Sequence, residues 1–364
     1  SYLHTEASFR TLKLSLNEED FTDLSPPYGY YQDPRLAVFD QALEPEGGVS
    51  EGGTIVTVRG AGFDVLPDAG TAFVSCRWGS IHASSTVNDT RAILVNATII
   101  VCPSAPLPEG LQNLSIALNG QQFIATNLQL KVYPQPSRFS EVALNTSQLG
   151  LGPPKDYGTL VGAPLGLSDA NVAQVWLRGT GFLAFRQGEQ LRCRWGEIDS
   201  SDPAAPEPPV TIPTQVEDDL VVCPSANSDA SGDVSLYVAL NAADFTDTGM
   251  RFRHYAQPTT FTRIRTADDV AHCTYSFDQR CATGLHPTGG VNGGGTSVTL
   301  FGAGLDAFRT QPELASCRWG ELDAITTPTD IDEGHIVCPA PARREVGDLE
   351  TVALRVALNG VHFA

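Results

Sequence analysis

Apolar and polar residues alternate along most of this chain with a period of two, in short runs bounded by Gly, Pro, Asn and Asp. The clearest runs are Leu12-Lys-Leu-Ser-Leu16, Leu114-Ser-Ile-Ala-Leu118, Val234-Ser-Leu-Tyr-Val-Ala-Leu240 and Val352-Ala-Leu-Arg-Val-Ala-Leu358. A period of two puts every second side chain on one face of a strand, so each run predicts a half-buried β-strand. Each run leads into the same phrase: Leu16-Asn-Glu-Glu-Asp-Phe21, Leu118-Asn-Gly-Gln-Gln-Phe123, Leu240-Asn-Ala-Ala-Asp-Phe245 and Leu358-Asn-Gly-Val-His-Phe363. An alternating run that ends in Asn-Gly or Asn-Ala predicts a β-hairpin.

Four further phrases recur in a fixed order. Val56-Thr-Val-Arg-Gly-Ala-Gly-Phe63, Val175-Trp-Leu-Arg-Gly-Thr-Gly-Phe182 and Val298-Thr-Leu-Phe-Gly-Ala-Gly-Leu305 come first, followed by Cys76-Arg-Trp-Gly79, Cys193-Arg-Trp-Gly196 and Cys317-Arg-Trp-Gly320. Val101-Cys-Pro103, Val222-Cys-Pro224 and Val337-Cys-Pro339 come next, and Tyr31-x-x-Pro34, Tyr133-x-x-Pro136 and Tyr255-x-x-Pro258 stand at the junctions. This order divides the chain into the closing part of an incomplete repeat (1–32) and repeats over 33–134, 135–256 and 257–364, the third expected to lack its final strand. Each repeat needs roughly seven short strands with turn signals every 8–12 residues, the pattern of an immunoglobulin-like sandwich. The fold class is therefore all-β, in tandem antiparallel sandwiches.

Composition narrows the function classes. The 34 Gly and 25 Pro favour strands and turns, and the formal charge of −19 would repel a phosphate backbone, which excludes sequence-independent nucleic-acid binding. No apolar run reaches the 18 or so residues that cross a bilayer, so no membrane segment is expected in this stretch. Gly293-Gly-Gly295 and Gly60-Ala-Gly62 are not followed by Lys-Ser/Thr and read as turns or bulges, not phosphate loops. The acidic groups Glu18-Glu-Asp20, Glu217-Asp-Asp219 and Asp268-Asp269 lack calcium-loop spacing and read as solvated loops. The histidines share no ligand spacing and no Cys-x-x-Cys occurs, so no metal or other cofactor is expected; no Gly-x-Ser-x-Gly elbow stands here and no catalytic residue is expected.

Taken together, Gly-Gly-Thr-x-Val-Thr-Val-x-Gly-x-Gly-Phe (Gly52 to Phe63, and Gly294 to Leu305), Cys-Arg-Trp-Gly, Val-Cys-Pro and Leu-Asn-Gly-x-x-Phe resemble the IPT/TIG domain. The likeness covers almost the whole chain. It is similar to the versions strung in tandem on plexins, fibrocystin-like proteins and surface glycoproteins of green algae. The resemblance implies a seven-stranded Ig-like sandwich, an extracellular rod when repeated, and no catalytic residues. The second repeat departs from it by lacking the Gly-Gly-Thr entry and inserting Asp202-Pro-Ala-Ala-Pro-Glu-Pro-Pro209; the third carries an extra loop bounded by Cys273 and Cys281. These insertions (202–214 and 268–288) are where partner contacts are expected, because loops vary while the sandwich does not.

Eight cysteines form an even set. Each Cys-Arg-Trp-Gly has its own Val-Cys-Pro at a similar distance, which predicts disulfides Cys76–Cys102, Cys193–Cys223 and Cys317–Cys338, with Cys273–Cys281 closing a loop of its own. Period two puts Cys76 and Trp78 on one face and Arg77 on the other, so a buried Trp is expected beside each of the first three bridges. Asn-x-Ser/Thr sequons at Asn88, Asn96, Asn113 and Asn145 predict N-glycans and, with the disulfides, the secretory pathway and an extracellular or cell-surface location. The function these features point to is a non-catalytic structural or adhesive array that assembles with copies of itself or with neighbouring surface proteins, including in a filament. Two alternatives stay open: a plexin-type receptor ectodomain that binds a protein ligand, and the accessory region of a carbohydrate-acting enzyme.

Overall fold

The structure is a computed structural model, which describes residues 8–31, 33–36, 42–65, 74–79, 88–144, 160–165, 172–202, 204–228, 230–260, 284–287, 289–309, 311–320, 324–342 and 351–363. Almost all of its regular structure is strand, as the alternation predicts. The described residues gather into two compact units, one made of 1–137 with 181–192 and 238–246, the other of 138–180, 193–237 and 247–364. The first unit thus takes in two segments from the second sequence repeat.

In the first repeat, two sheets face each other. One runs Arg35–Leu36, Ile55–Ala61, Ile99–Pro103, Ile93–Asn96, with Leu43–Glu44 also on Ile55–Ala61; the other runs Gly47–Val49, Ile124–Tyr133, Gly110–Ala117, Ser75–Trp78, Asp89–Arg91. Neighbours pair antiparallel, with Val58 opposite Ile100 and Trp78 opposite Leu114. The exception is Gly47–Val49, which runs parallel to Ile124–Tyr133 with Gly47 opposite Lys131. Val56, Val58, Trp78, Ile100, Leu114, Ile116 and Leu130 form the dry layer between the sheets.

The second repeat repeats this plan with Ser137–Leu144, Gln174–Thr180, Leu220–Pro224 and Gln215–Val216 against Leu160–Pro164, Thr246–Tyr255, Gly232–Ala239, Arg192–Trp195 and Val210–Thr211. Leu160–Pro164 is the parallel strand here, with Gly162 opposite Arg253. In the third repeat, Thr259–Thr260, Ser297–Ala303, His335–Pro339 and Asp330–Ile331 form one sheet, with Leu285–His286 also on Ser297–Ala303, and Ala324–Thr326, Ser316–Trp319 and Leu354–Ala357 the other. The second of these has three strands among the described residues, where the earlier repeats have five.

Ser8–Leu14 and Thr22–Tyr30 form the hairpin expected at the start of the chain, with Lys13 opposite Asp23. Its apolar side chains find no sandwich among the described residues: Leu16 is 96 % exposed, whereas its counterpart Leu118 is fully buried.

One expectation needs correction, and one segment has a structural part beside the one expected of it. Trp78 and Trp195 are buried, but Trp319 is only half-buried. The insertion 202–214, expected to serve partners, also builds its own domain: Val210–Thr211 pairs with Cys193 and Arg194 as an edge strand.

Candidate functional site

Three disulfides bridge the sheets where the paired phrases place them: Cys76–Cys102, Cys193–Cys223 and Cys317–Cys338, with Cα atoms 6.0–6.1 Å apart. All six cysteines are fully buried. Cys273 and Cys281 lie outside the described residues. Beside each bridge, the tryptophan indole N–H donates to a threonine hydroxyl: Trp78 to Thr90, Trp195 to Thr211 and Trp319 to Thr326, at 3.0–3.2 Å. Thr90 and Thr211 pass the bond on to the carbonyls of Pro103 and Pro224. A buried indole needs such a partner. Sequence reading missed these threonines because their distance from the tryptophan changes with loop length. The outward-facing arginines stack on aromatic rings, Arg77 over Phe123, Arg194 over Tyr237 and Arg318 over Phe363. Arg77 also grips Asp89 through two bonds, which raises its pKa further.

The Leu-Asn phrase turns out to be one device built four times. The asparagine side-chain oxygen accepts from the backbone N–H groups two and three residues on, at Asn17, Asn119, Asn241 and Asn359. The residue after it takes a positive φ: Glu18, Gly120, Ala242 and Gly360. The amide nitrogen then reaches the side chain three residues on: Asp20, Gln122, Asp244 and His362. With the oxygen committed to two donors, the amide cannot flip, and one N–H is left to point outward.

In two of the four copies that N–H is used to join one repeat to the repeat before it. Within the first unit, Asn241 donates to the Gly47 carbonyl at 2.8 Å, and Asp244 accepts from the buried Thr54 hydroxyl at 2.6 Å. Phe185 lies against Gly47, where a Cβ would overlap its ring, and stacks on Tyr133 with centroids 5.0 Å apart. Arg186 pairs with Glu46 beside it. Within the second unit, Asn359 donates to the Gly162 carbonyl at 2.8 Å, Phe308 closes over Gly162, and Tyr255 meets Phe308 edge-on at 5.4 Å. Arg253, held by Asp233 on one side, donates to the Ala307 carbonyl at 2.6 Å on the other. Burial pushes the pKa of both tyrosines, Tyr133 and Tyr255, well above the usual range. Each tyrosine of the Tyr-x-x-Pro phrase therefore both ends its own strand and packs on the next repeat. Tyr31 packs on the first core in the same sense, alongside Val65.

The sequons fare unequally. Asn96 is exposed on an edge strand, and its oxygen is held by the N–H and hydroxyl of Thr98. Asn88 is half-buried and its sequon threonine, Thr90, serves Trp78. Asn113 is exposed but bonded to Gln129, and its sequon Ser115 is buried. Asn145 lies outside the described residues. Among the described residues no group of His, Cys, Asp or Glu could hold a metal ion, and no helix is long and apolar enough to cross a membrane.

Paired sheets, a cross-sheet disulfide with its tryptophan and phrase-by-phrase repetition define a chain of immunoglobulin-like sandwiches in tandem. Residues 41–132 match the IPT/TIG domain family. No curated protein matches the chain. Among solved structures, the full extracellular region of plexin A4 is similar at 15 % identity over 96 % of this chain and 25 % of that one, with a TM-score of 0.35. The Escherichia coli adhesin FdeC is similar at 13 % identity over 90 % and 97 %, TM-score 0.23, and the bacterial integrin-binding protein invasin at 13 % over 88 % and 57 %, TM-score 0.20. The chain spans about a quarter of the length of the plexin A4 region. At these scores none of the three says what this chain binds.

Proposed function

We propose that this chain is a non-catalytic, extracellular or cell-surface array of IPT/TIG-type repeats that mediates protein–protein assembly, with copies of itself or with neighbouring surface proteins. The observation that carries the reading is the repeated joint: two asparagine turns, each donating to a glycine carbonyl, fasten a repeat to the one before it. A joint that fixes neighbouring modules suits an element that spaces and presents contact surfaces, and repetition raises the effective concentration of weak contacts. Three buried disulfides support an oxidising compartment. Within that reading the repeats are divided at 33–134, 135–256 and 257–364, and the protein is a glycoprotein. Asn96 is the described sequon whose side chain and surroundings best fit a glycan, which would also shield Ile93–Asn96, the edge of its sheet among the described residues, from unwanted strand pairing.

Cross-linking mass spectrometry on intact cells bearing the native protein tests the assembly. Cross-links from these repeats to other copies or to surface proteins are expected. Links confined within single molecules, on a protein recovered from a reducing compartment, would end the proposal. Glycopeptide mapping of the same material should find Asn96 occupied.

A further inference from the structure

The two joints share the asparagine-to-glycine-carbonyl bond and the tyrosine–phenylalanine contact, and differ in what closes the asparagine turn. In the first, the residue three after the asparagine is Asp244, which accepts from Asn241 and also from the Thr54 hydroxyl. In the second it is His362, whose Nδ1 accepts from Asn359 at 2.7 Å, and the position matching Thr54 is Ala173, which has no hydroxyl to offer. The match is fixed by the backbone: Thr54 and Ala173 each donate their N–H to a serine hydroxyl, Ser104 and Ser225.

The orientation of Asn359 leaves His362 one protonation state. Its oxygen accepts from the N–H groups of Val361 and His362, so its amide nitrogen must face both the imidazole Nδ1 and the Gly162 carbonyl. A proton on Nδ1 would set two N–H donors against each other at 2.7 Å. Turning the amide over to meet it would lose both turn bonds and the bond to Gly162. Asn359 is 1 % exposed, so neither orphaned group gains water in exchange. Of the four acceptors at this position, Asp20, Gln122, Asp244 and His362, only a histidine ordinarily changes charge between pH 5 and 8.

We infer that His362 makes the second joint acid-labile: protonation of its ring releases Asn359 from Gly162, while the first joint, closed by Asp244 and Thr54, stays shut over the same range. The release is a proton-driven exchange of an acceptor for a donor and involves no other reactant. Among the described residues, the strand leading into the turn, Leu354–Ala357, carries Arg355, and its neighbour Ser316–Trp319 carries Arg318, which lies over Phe363. Leu160–Pro164 carries no charged or titratable group. Thr246–Tyr255 carries Asp247, Arg251, Arg253, His254 and Tyr255, of which Arg253 is held by Asp233 and Tyr255 is buried. Asp306 and Arg309 flank Phe308, and Glu313 lies on the turn beside Leu314, whose carbonyl faces Gly360. His254 packs on Phe252 and stands opposite Ala163, the residue after Gly162, so its own titration is separated from that of His362 by substitution.

Hydrogen–deuterium exchange on the full chain, at pH 7.5 and about pH 5.5 and corrected for intrinsic exchange, tests the inference. Peptides over 160–164 and 357–363 should exchange several-fold faster in acid, because the released turn takes up a proton that the closed turn has no place for. Peptides over 46–54 and 238–246 should not change. His362→Gln, which installs the residue found in the Asn119 turn, should abolish the acceleration, and Asp244→His should create it at the first joint. Equal protection at both pH values in the unaltered chain, or an acceleration that survives His362→Gln and disappears in His254→Gln, would overturn the inference.

Discussion

Replacing Phe185 by alanine tests whether the first joint is a real packing interface. Phe185 is 2 % exposed, stacks on Tyr133 and fills the space beside Gly47. Truncating a buried phenylalanine costs about 3–5 kcal/mol, and loss of the aromatic pair accounts for about 0.5–1.5 kcal/mol of that. Its neighbours in the first unit belong to the strands Gly47–Val49 and Ile124–Tyr133, more than 50 residues earlier in the sequence. The cost should therefore appear in the first repeat. A loss of about 3 kcal/mol corresponds to roughly a hundredfold rise in amide opening. Hydrogen exchange should show that rise in peptides covering 47–49 and 130–133, with the Cys76–Cys102 core less affected. If exchange rose only in 181–192 and the strands of the first repeat kept full protection, Phe185 would be serving its own loop and the joint argument would fail.

Other outcomes follow from the same contacts. Replacing both Cys193 and Cys223 by serine opens a 30-residue separation and should cost about 3–4 kcal/mol in the chain-entropy account, read as a fall in the denaturant midpoint of the second unit. Thr211→Val leaves the Trp195 indole and the Pro224 carbonyl unpaired and should cost about 1–3 kcal/mol, with Thr211→Ser restoring most of it. Burial lowers the pKa of His254, so the unfolded chain binds its proton more readily; stability of the second unit should fall as pH drops below about 6.5, and His254→Phe should flatten that slope. Asp233 acts in the same direction at lower pH: its hydrogen bond to Arg253 lowers its pKa, so the contribution is present at neutral pH and is lost as pH falls through the depressed value, an acid limb that Asp233→Asn should remove.

The sandwich was readable in the sequence because its parts are short and local. Period-two runs specify strands, and Cys-Arg-Trp-Gly with Val-Cys-Pro specifies a cross-sheet bridge that the structure forms three times. The joint was not readable, because its partners stand far apart: Asn241 and Gly47 are separated by 194 residues, Asn359 and Gly162 by 197. The asparagine was visible as a turn former, but its second N–H acquires meaning only once another repeat places a carbonyl opposite it. Phe185 and Phe308 sit in loops with no alternation to mark them as buried. Thr90 was legible only as part of a sequon, and its hydroxyl is occupied by Trp78 and Pro103. The half-burial of Trp319 was not legible either, because the Cys-Arg-Trp-Gly phrase around it is the same as around the buried Trp78 and Trp195.

A double-mutant cycle between Tyr133 and Phe185, each replaced by leucine singly and together, measures most directly whether one repeat is fastened to the next. Stacked rings 5.0 Å apart predict a coupling of about 0.5–1.5 kcal/mol in the stability of the first unit. Two effects that simply add, within about 0.3 kcal/mol, would mean that the rings share no interaction and that the repeats are not joined in the way described.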